Sequence, residues 1–341
     1  MTVSSLSEDE LIRQIFAPIA GEGSLNLRDD AALLPAPPGS ELVLTVDTIV
    51  AGVHYFPEDP PGAVARKALR VNLSDVAAKG AEPLGFLLSL SMPAGTSLAW
   101  MAAFAEGLGA DAKAFGCPLL GGDTVRTRGP LTVSITAIGR VPTGYMVRRT
   151  GAQAGDIIAV TGTIGDSALG LALRLADQDG APDDAKRDNL AWRDELTPQE
   201  HAYLTQRYLL PEPRNAIALA LRDHASGAMD VSDGLIGDAR KMLGASGVSG
   251  RIDLETVPLS LPARAAVEAS SGLLRAAVTG GDDYEILCSV PPKRFDALRA
   301  QCTQAGVPLT AIGLVEPGQE PLSVFLDGVD YAVGKGSYSH F

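Results

Sequence analysis

Short apolar runs alternate along the chain with longer stretches in which apolar residues recur at helical spacing. ELVLTVD predicts a strand, VARKALRVNLSDVAAKG a helix, LGFLLSLSM a strand, SLAWMAAFAEGLGADAKAFG a helix, and PLLGGD and LTVSITAIG two more strands. Between residues 141 and 155 the sequence turns to VPTGYMVRRTGAQAGD, rich in glycine, arginine and turn formers, and IIAVTG then opens a fresh buried strand. This predicts a boundary, with an N-terminal α+β domain over residues 1–146 and a C-terminal α/β domain over 147–341. The second half continues with the helix DSALGLALRLAD, a polar stretch from Gln178 to Thr197 that reads as a surface loop, and two helices to about Asp223. AMDVSDGL follows, then strands near Ile252, Tyr284, Leu309 and Val324.

With 341 residues and 46% hydrophobic side chains, there is material for two cores. The uncharged run from Pro83 to Ala105 is long enough to raise the question of a membrane span, but Pro93, Gly95 and Thr96 divide it into a strand, a turn and a helix start. The N-terminus MTVSSLSEDELIRQIF carries acid where a signal peptide needs base, and predicts a capped helix after Ser7. Cys117, Cys288 and Cys302 are isolated and form no C-x-x-C pair, so neither a disulfide framework nor a zinc knuckle is expected, and a reducing cytoplasm fits. A formal charge of −13 argues against nucleic acid or an anionic membrane as a partner, and phosphorylated substrates would need cations to be held.

The candidate chemistry lies in aspartates. Six segments deliver them to chain breaks: RDDAAL (Asp29, Asp30), LTVDT (Asp47), NLSD (Asp75), GGDT (Asp123), MDVSDG (Asp230, Asp233) and GGDDYE (Asp282, Asp283). Any one of them is open to an ordinary reading, in which Asp beside Gly caps a turn or a helix. Taken together they favour metal and phosphate, because a carboxylate at the end of a buried strand is costly unless a cation meets it, and Mg²⁺ takes oxygen ligands shared with phosphates.

Other groups are less specific. Residues 157–175 read as strand, glycine turn and helix, which either presents amides to a phosphate or is a plain connection, since no G-x-G-x-x-G or Walker lysine loop is present. Arg148 and Arg149 beside the predicted boundary suit phosphate oxygens or are solvated charges. His54, in AGVHYF, reads equally as a substrate contact or a structural histidine. No G-x-S-x-G elbow or Cys/His set supplies a covalent nucleophile, and Ser232 between two aspartates reads as a cap or phosphate contact.

The succession DDAAL, TVDTIVAGVHY, KALRVNLSDVAAKGAEP, GGDTVRT, RTGAQAGD, VTGTIGDSALGL, MDVSDGL, GGDDYE and YSHF resembles the thiamine-monophosphate kinase family from near Asp29 to Phe341. That family sits beside aminoimidazole ribonucleotide synthetase in a superfamily of ATP-using enzymes without a P-loop. The resemblance implies a two-domain α+β fold of the aminoimidazole ribonucleotide synthetase type, whose N-terminal domains pair across a homodimer into a barrel-like core. It further implies Mg²⁺ ligation by Asp30, Asp47, Asp75, Asp123, Asp230 and Asp233, with Thr45 and Val46 contributing oxygen atoms. Gly122, Asp123, Arg149 and Ser232 fall at positions that contact ATP, and His54, Asp282 and Tyr338 at positions that contact thiamine monophosphate. Two departures stand out: Arg28 precedes the first aspartate pair where many members have Gly, and Asp282 replaces the commoner Glu.

ATP and a phosphate monoester repel each other, so the expected mechanism is direct in-line transfer, with cations and an arginine neutralising charge. The acceptor's second pKa is about 6, so a strong general base is unnecessary and His54 is expected to bind rather than to abstract a proton. Three rivals remain: another ATP-dependent enzyme of the superfamily, a metal-dependent phosphatase, and a non-catalytic nucleotide or thiamine sensor. The selenium-using branch normally carries a reactive Cys or selenocysteine near its N-terminus, and no cysteine precedes Cys117 here.

Overall fold

The computed structural model describes residues 7–27, 31–35, 38–178, 191–318, 322–334 and 336–337. Arg28, Asp29, Asp30 and Tyr338 lie outside the described residues. The chain forms two compact units, Met1–Ala77 with Ala81–Met146, and Ala78–Gly80 with Val147–Phe341.

The first unit is built on a four-stranded sheet in the order β1-β4-β2-β3, formed by β1 (Ser40–Val50), β2 (Glu82–Pro93), β3 (Leu119–Thr127) and β4 (Thr132–Pro142). β2 and β3 run parallel and the other pairs antiparallel. Strict alternation along β4 buries Val133, Ile135, Ala137 and Val141, and register aligns Ile135 with Leu88 of β2 and Asp47 of β1. Helix α2 (Pro61–Ala78) packs on this face, burying Val76 with Val43, Ala137 and Val141. Gly62 and Gly107 let α2 approach α3 (Leu98–Ala114) closely, since a Cβ on Gly107 would come within 2.4 Å of the Gly62 carbonyl oxygen. Asp111 of α3 then accepts from Arg66 and Arg70 of α2.

Ser7 and Glu10 form the reciprocal cap expected of a helix start, Ser7 N–H donating to Glu10 Oε2 at 2.9 Å and Glu10 N–H to Ser7 Oγ at 3.3 Å. The α-helix that follows, α1 (Glu8–Leu11), is nevertheless one turn long. It widens into a π-turn over Ile12–Phe16 and tightens into a 3-10 turn over Ala17–Ile19, where Pro18 has no amide to continue the ladder.

The second unit carries a seven-stranded sheet in the order β11-β10-β7-β9-β5-β8-β6. Its strands are β5 (Ile157–Thr161), β6 (Gly227–Asp230), β7 (Ser249–Asp253), β8 (Ile286–Val290), β9 (Leu309–Glu316), β10 (Ser323–Leu326) and β11 (Val329–Asp330). Its helices are α4 (Asp166–Gln178), α5 (Pro198–Leu209), α6 (Ala218–His224), α7 (Leu235–Ser246), α8 (Leu261–Ala269), α9 (Gly272–Thr279) and α10 (Pro292–Gln304). α7 packs on the sheet core through Leu235, Ile236, Ala239, Met242 and Leu243, against Ile158, Val160 and Ile252.

Part of the predicted surface loop is ordered core. Trp192 and Leu196 are buried with Leu169, Leu173 and Leu204, and Thr197 with Glu200 forms a capping box on α5. The strand expected near Tyr284 begins two residues later at Ile286, because Asp282 and Tyr284 have φ of 71° and 52°.

Candidate functional site

In the first unit, β1 is an edge strand and α2 supplies what its outer edge lacks. The Asp47 amide donates to Asn72 Oδ1 at 2.9 Å, and one turn further along α2 the Asp75 carboxylate accepts from Thr45 Oγ1 at 2.6 Å. Thr45 and Asp47 are two residues apart on one strand and share a face, so their side chains and Asp75 gather at the β1–α2 junction. All three are half-buried. Their donors are oxygens without nitrogen or sulfur, the set that suits Mg²⁺, which is usually held by one or two carboxylates together with substrate phosphates. Among the described residues no three His, Cys, Asp or Glu side chains gather into a closed metal cage. Val46 points the other way and is 60% exposed, so only its backbone carbonyl could contribute a ligand.

Asp123 is not brought to that junction. It stands on β3, at the opposite edge of the sheet, and aligns with Ser89, Ser134 and Thr48. Its Oδ1 accepts from the Thr124 amide at 2.9 Å, and it lines a cavity of about 720 Å³ with Ser89, Ser134 and Thr136. Gly122 before it has φ 157°, and a Cβ there would sit 1.8 Å from the Leu88 carbonyl oxygen. Only glycine lets β3 lie this close to β2.

His54 closes the turn after β1. Val50 N–H donates to its Nδ1 at 3.1 Å, which assigns the ring proton to Nε2. Buried Lys67 donates to the His54 carbonyl at 3.0 Å and fixes the backbone beneath it.

In the second unit, two of the predicted motifs are zipped side by side. β6 ends at buried Asp230, and the following loop receives N–H donations from the GGDDYE segment, Asp282 to Ser232 O and Tyr284 to Val231 O, each at 2.8 Å. Val231 N–H returns to Glu285 O at 2.8 Å. Ser232, Asp233 and Asp282 are therefore carried on one braced pair of loops. Gly234 (φ 116°) completes the brace, because a Cβ there would meet Thr279 O at 2.5 Å.

Sequence reasoning missed Asp238. This fully buried carboxylate at the start of α7 accepts from the Ser232 and Asp233 amides at 3.0 Å each, and Lys241 donates to it at 2.8 Å and also to Asp233. Burial pushes the Asp238 carboxyl above the ordinary carboxylate range, and the Lys241 ammonium only partly offsets this. A spacing signal existed: an acid in the first turn of a helix, six and five residues after the two loop amides that it caps. Arg149 lies in a 3-10 turn and is exposed, as is Arg148.

The glycine turn of residues 162–165 is not an open phosphate cradle. Gly162 N–H donates to Pro308 O, Ile164 N–H to Pro258 O, and the Gly165 and Ser167 amides at the start of α4 are taken by Asp283. Nor is a thiol nucleophile built: all three cysteines are buried, and burial pushes Cys117 up to about 12 and Cys302 up to about 11.

Residues 28–141 match the family described as AIR synthase related protein, N-terminal domain, and residues 153–323 match its C-terminal domain. The pair defines the class, a two-domain protein of the AIR synthase-related type. Among proteins of that class, a thiamine-monophosphate kinase of Caulobacter vibrioides is 42% identical over 323 residues, 93% of this chain and 85% of that protein. A solved thiamine-monophosphate kinase from Stenotrophomonas maltophilia K279a superposes with a TM-score of 0.76 at 38% identity, over 89% of this chain and 90% of that one. The structure of AaThiL complexed with AMPPCP and TMP superposes at 0.75 with 30% identity, over 100% and 99% of the two chains. The chain belongs to the thiamine-monophosphate kinase family.

Proposed function

We propose that this chain phosphorylates thiamine monophosphate with ATP, giving thiamine diphosphate and ADP, the last step of thiamine diphosphate biosynthesis. What carries the reading is the oxygen-only junction of Thr45, Asp47 and Asp75 in a chain of this family. These three residues would hold Mg²⁺, and Asp30, Asp123, Asp230, Asp233 and the Val46 carbonyl are proposed as further ligands. Bound Mg²⁺ supplies neutralisation of phosphate charge while donor and acceptor are held in line. The N-terminal domain, residues 1–146, is assigned the metal junction and dimerisation, and residues 147–341 form the C-terminal domain.

Gly122, Asp123, Arg149 and Ser232 are assigned to ATP, and His54, Asp282 and Tyr338 to thiamine monophosphate. His54 donates through Nε2–H to an acceptor oxygen, a role its Val50 contact supports. The Asp282 carboxylate suits the positive thiazolium or the amino group of thiamine. The acceptor phosphate is already largely deprotonated near neutral pH, so no side chain need remove a proton. ATP as a substrate and three buried free thiols support a cytoplasmic location. Among the described residues no helix is long and apolar enough to cross a membrane.

Incubated with ATP, thiamine monophosphate and Mg²⁺, the protein is expected to yield thiamine diphosphate and ADP in equal amounts, and neither without a divalent cation. Chromatography of the products checks this. Inorganic phosphate in place of thiamine diphosphate would favour the phosphatase reading.

A homodimer is part of the proposal. The sheet face of the first unit away from α2 carries exposed Leu44 (63%), Val46 (60%), Leu42, Leu87 and Val125, an apolar surface that a single layer leaves uncovered. A second copy pairing face to face would cover it with C2 symmetry. Light scattering at micromolar concentration is expected to give twice the chain mass of 35.3 kDa. An active monomer would defeat this part of the proposal.

A further inference from the structure

Besides Asp238 and Asp156, the second unit buries the carboxylates of Asp166, Asp283 and Glu285, and none of these belongs to the proposed metal or substrate set. Asp166 is occupied by Thr163, Tyr203 and Ser260, and Glu285 by Thr161, Arg207 and Arg214. Asp283 is different in what it fastens. Its Oδ2 accepts from Gly165 N–H at 2.8 Å and its Oδ1 from Ser167 N–H at 3.3 Å, so the side chain plugs the start of α4. The residues on either side of it, Asp282 and Tyr284, both hold left-handed backbone, with φ of 71° and 52°. For an L-residue such a conformation is costly and persists only where the surroundings impose it. Here the surroundings are on both sides: the amides of 282 and 284 donate to Ser232 O and Val231 O, while the side chain of 283 is pinned from within. The effect is to turn the Asp282 side chain away from the core, half-exposed, with Tyr284 Oη 3.3 Å from its Oδ1.

We propose that Asp283 is a positioning residue for the phosphate acceptor: its buried carboxylate, fastened to the Gly165 and Ser167 amides, holds the left-handed turn that presents Asp282 to the cationic, amino-bearing part of thiamine monophosphate. The proposal rests on the reading of Asp282 as a substrate contact. Burial also pushes the Asp283 carboxyl well above the ordinary range, against the two amides that lower it. An amide side chain at 283 keeps one acceptor and turns its NH₂ towards the second backbone donor, so it releases one anchor without changing volume.

The test is steady-state kinetics of the full chain with D283N, D282N and the double variant, each paired with a thermal melt. D283N is expected to raise KM for thiamine monophosphate at least about tenfold, the cost of leaving one buried backbone donor unmatched, with KM for ATP changed by no more than about twofold. The double variant is expected to be no worse than D282N alone, since Asp283 acts through Asp282. A D283N enzyme with unchanged acceptor KM beside a D282N enzyme with raised KM would overturn the proposal alone. Unchanged acceptor KM in D282N would overturn the substrate-contact reading with it, and a wild-type protein that makes no thiamine diphosphate would overturn the proposed function. If D283N loses its cooperative melt, D283S, smaller and still an acceptor, takes its place. Unfolding of both would make Asp283 a determinant of the fold only, and would end the proposal.

Discussion

Asp75→Asn is expected to lower turnover by about 100-fold or more while leaving the fold intact, a loss of about 2.7 kcal/mol of transition-state stabilisation. Asp75 sits inside α2, not at a helix end, so its carboxylate caps nothing. Its observed partner, Thr45 Oγ1, donates to Oδ2, and an asparagine can accept that bond through its own oxygen. Stability should therefore change by less than about 1 kcal/mol. What the substitution does remove is one of two carboxylate charges at the junction with Asp47, and with it part of the affinity for a hard cation. The same loss is expected for Asp47→Asn, whereas Asp296→Asn on α10, 85% exposed and paired with Arg299 of the same helix, should not alter turnover. The measurement is turnover against Mg²⁺ concentration, beside a melt of each variant. Full activity of the Asp75 and Asp47 variants at limiting Mg²⁺ would sink the metal assignment.

The residues that make this prediction were legible from sequence because each stands on a periodic element. Asp47 stands on an alternating strand, which runs three residues further than the pattern predicts, to Val50, and Asp75 lies on an apolar helix, so hydrophobic period placed both on their elements. The strands and helices of the first unit were legible for the same reason. What remained hidden are groups whose partners are far apart in the chain. Asp283 was visible as the second acid of GGDDYE, but its meaning depends on the amides of Gly165 and Ser167, more than a hundred positions away. Alternation offers a partial clue, since of two adjacent acids beside a strand one must face inward and find donors there. The polar stretch before α5 misled because its composition hides two anchors, Trp192 and Leu196, whose burial depends on Leu169, Leu173 and Leu204. At the N-terminus the local cap was readable, while the length of the helix was decided by Pro18 and by packing of Phe16, which no cap motif encodes.

Glu285→Gln is expected to destabilise the second unit by about 3 kcal/mol or more. The Glu285 carboxylate has no exposure and accepts from Thr161 Oγ1 at 2.7 Å, Arg207 Nη2 at 3.1 Å and Arg214 Nε at 2.7 Å, with Arg214 Nη2 closer still. Both guanidiniums are nearly buried, at 12% and 13% exposure. Burial by itself would depress Arg214, but its hydrogen bonds to Glu285 and that group's charge outweigh burial and hold the guanidinium above its ordinary value. An amide in place of the carboxylate leaves Arg214 facing one neutral oxygen and an NH₂ that repels a donor, while Arg207 falls back on the buried Asp166 carboxylate, 3.9 Å from its Nε. Glu212, 63% exposed and at 3.5 to 3.7 Å from the two arginines, is too well solvated to replace it. Space offers no relief either, since the carboxylate lies directly over Gly162, where even a Cβ would come within 2.1 Å of Oε1. For a unit of this size a loss of 3 kcal/mol lowers the melting temperature by on the order of 10 °C, read by calorimetry at neutral pH. Because Glu285 closes the base of the loop that carries Asp282 and Asp283, its loss should also loosen that loop before the unit melts. Faster amide exchange at 282 and 284 below the transition would register this. A shift under about 1 kcal/mol would mean that the arginines find water instead, and that the cluster contributes little to holding the loop.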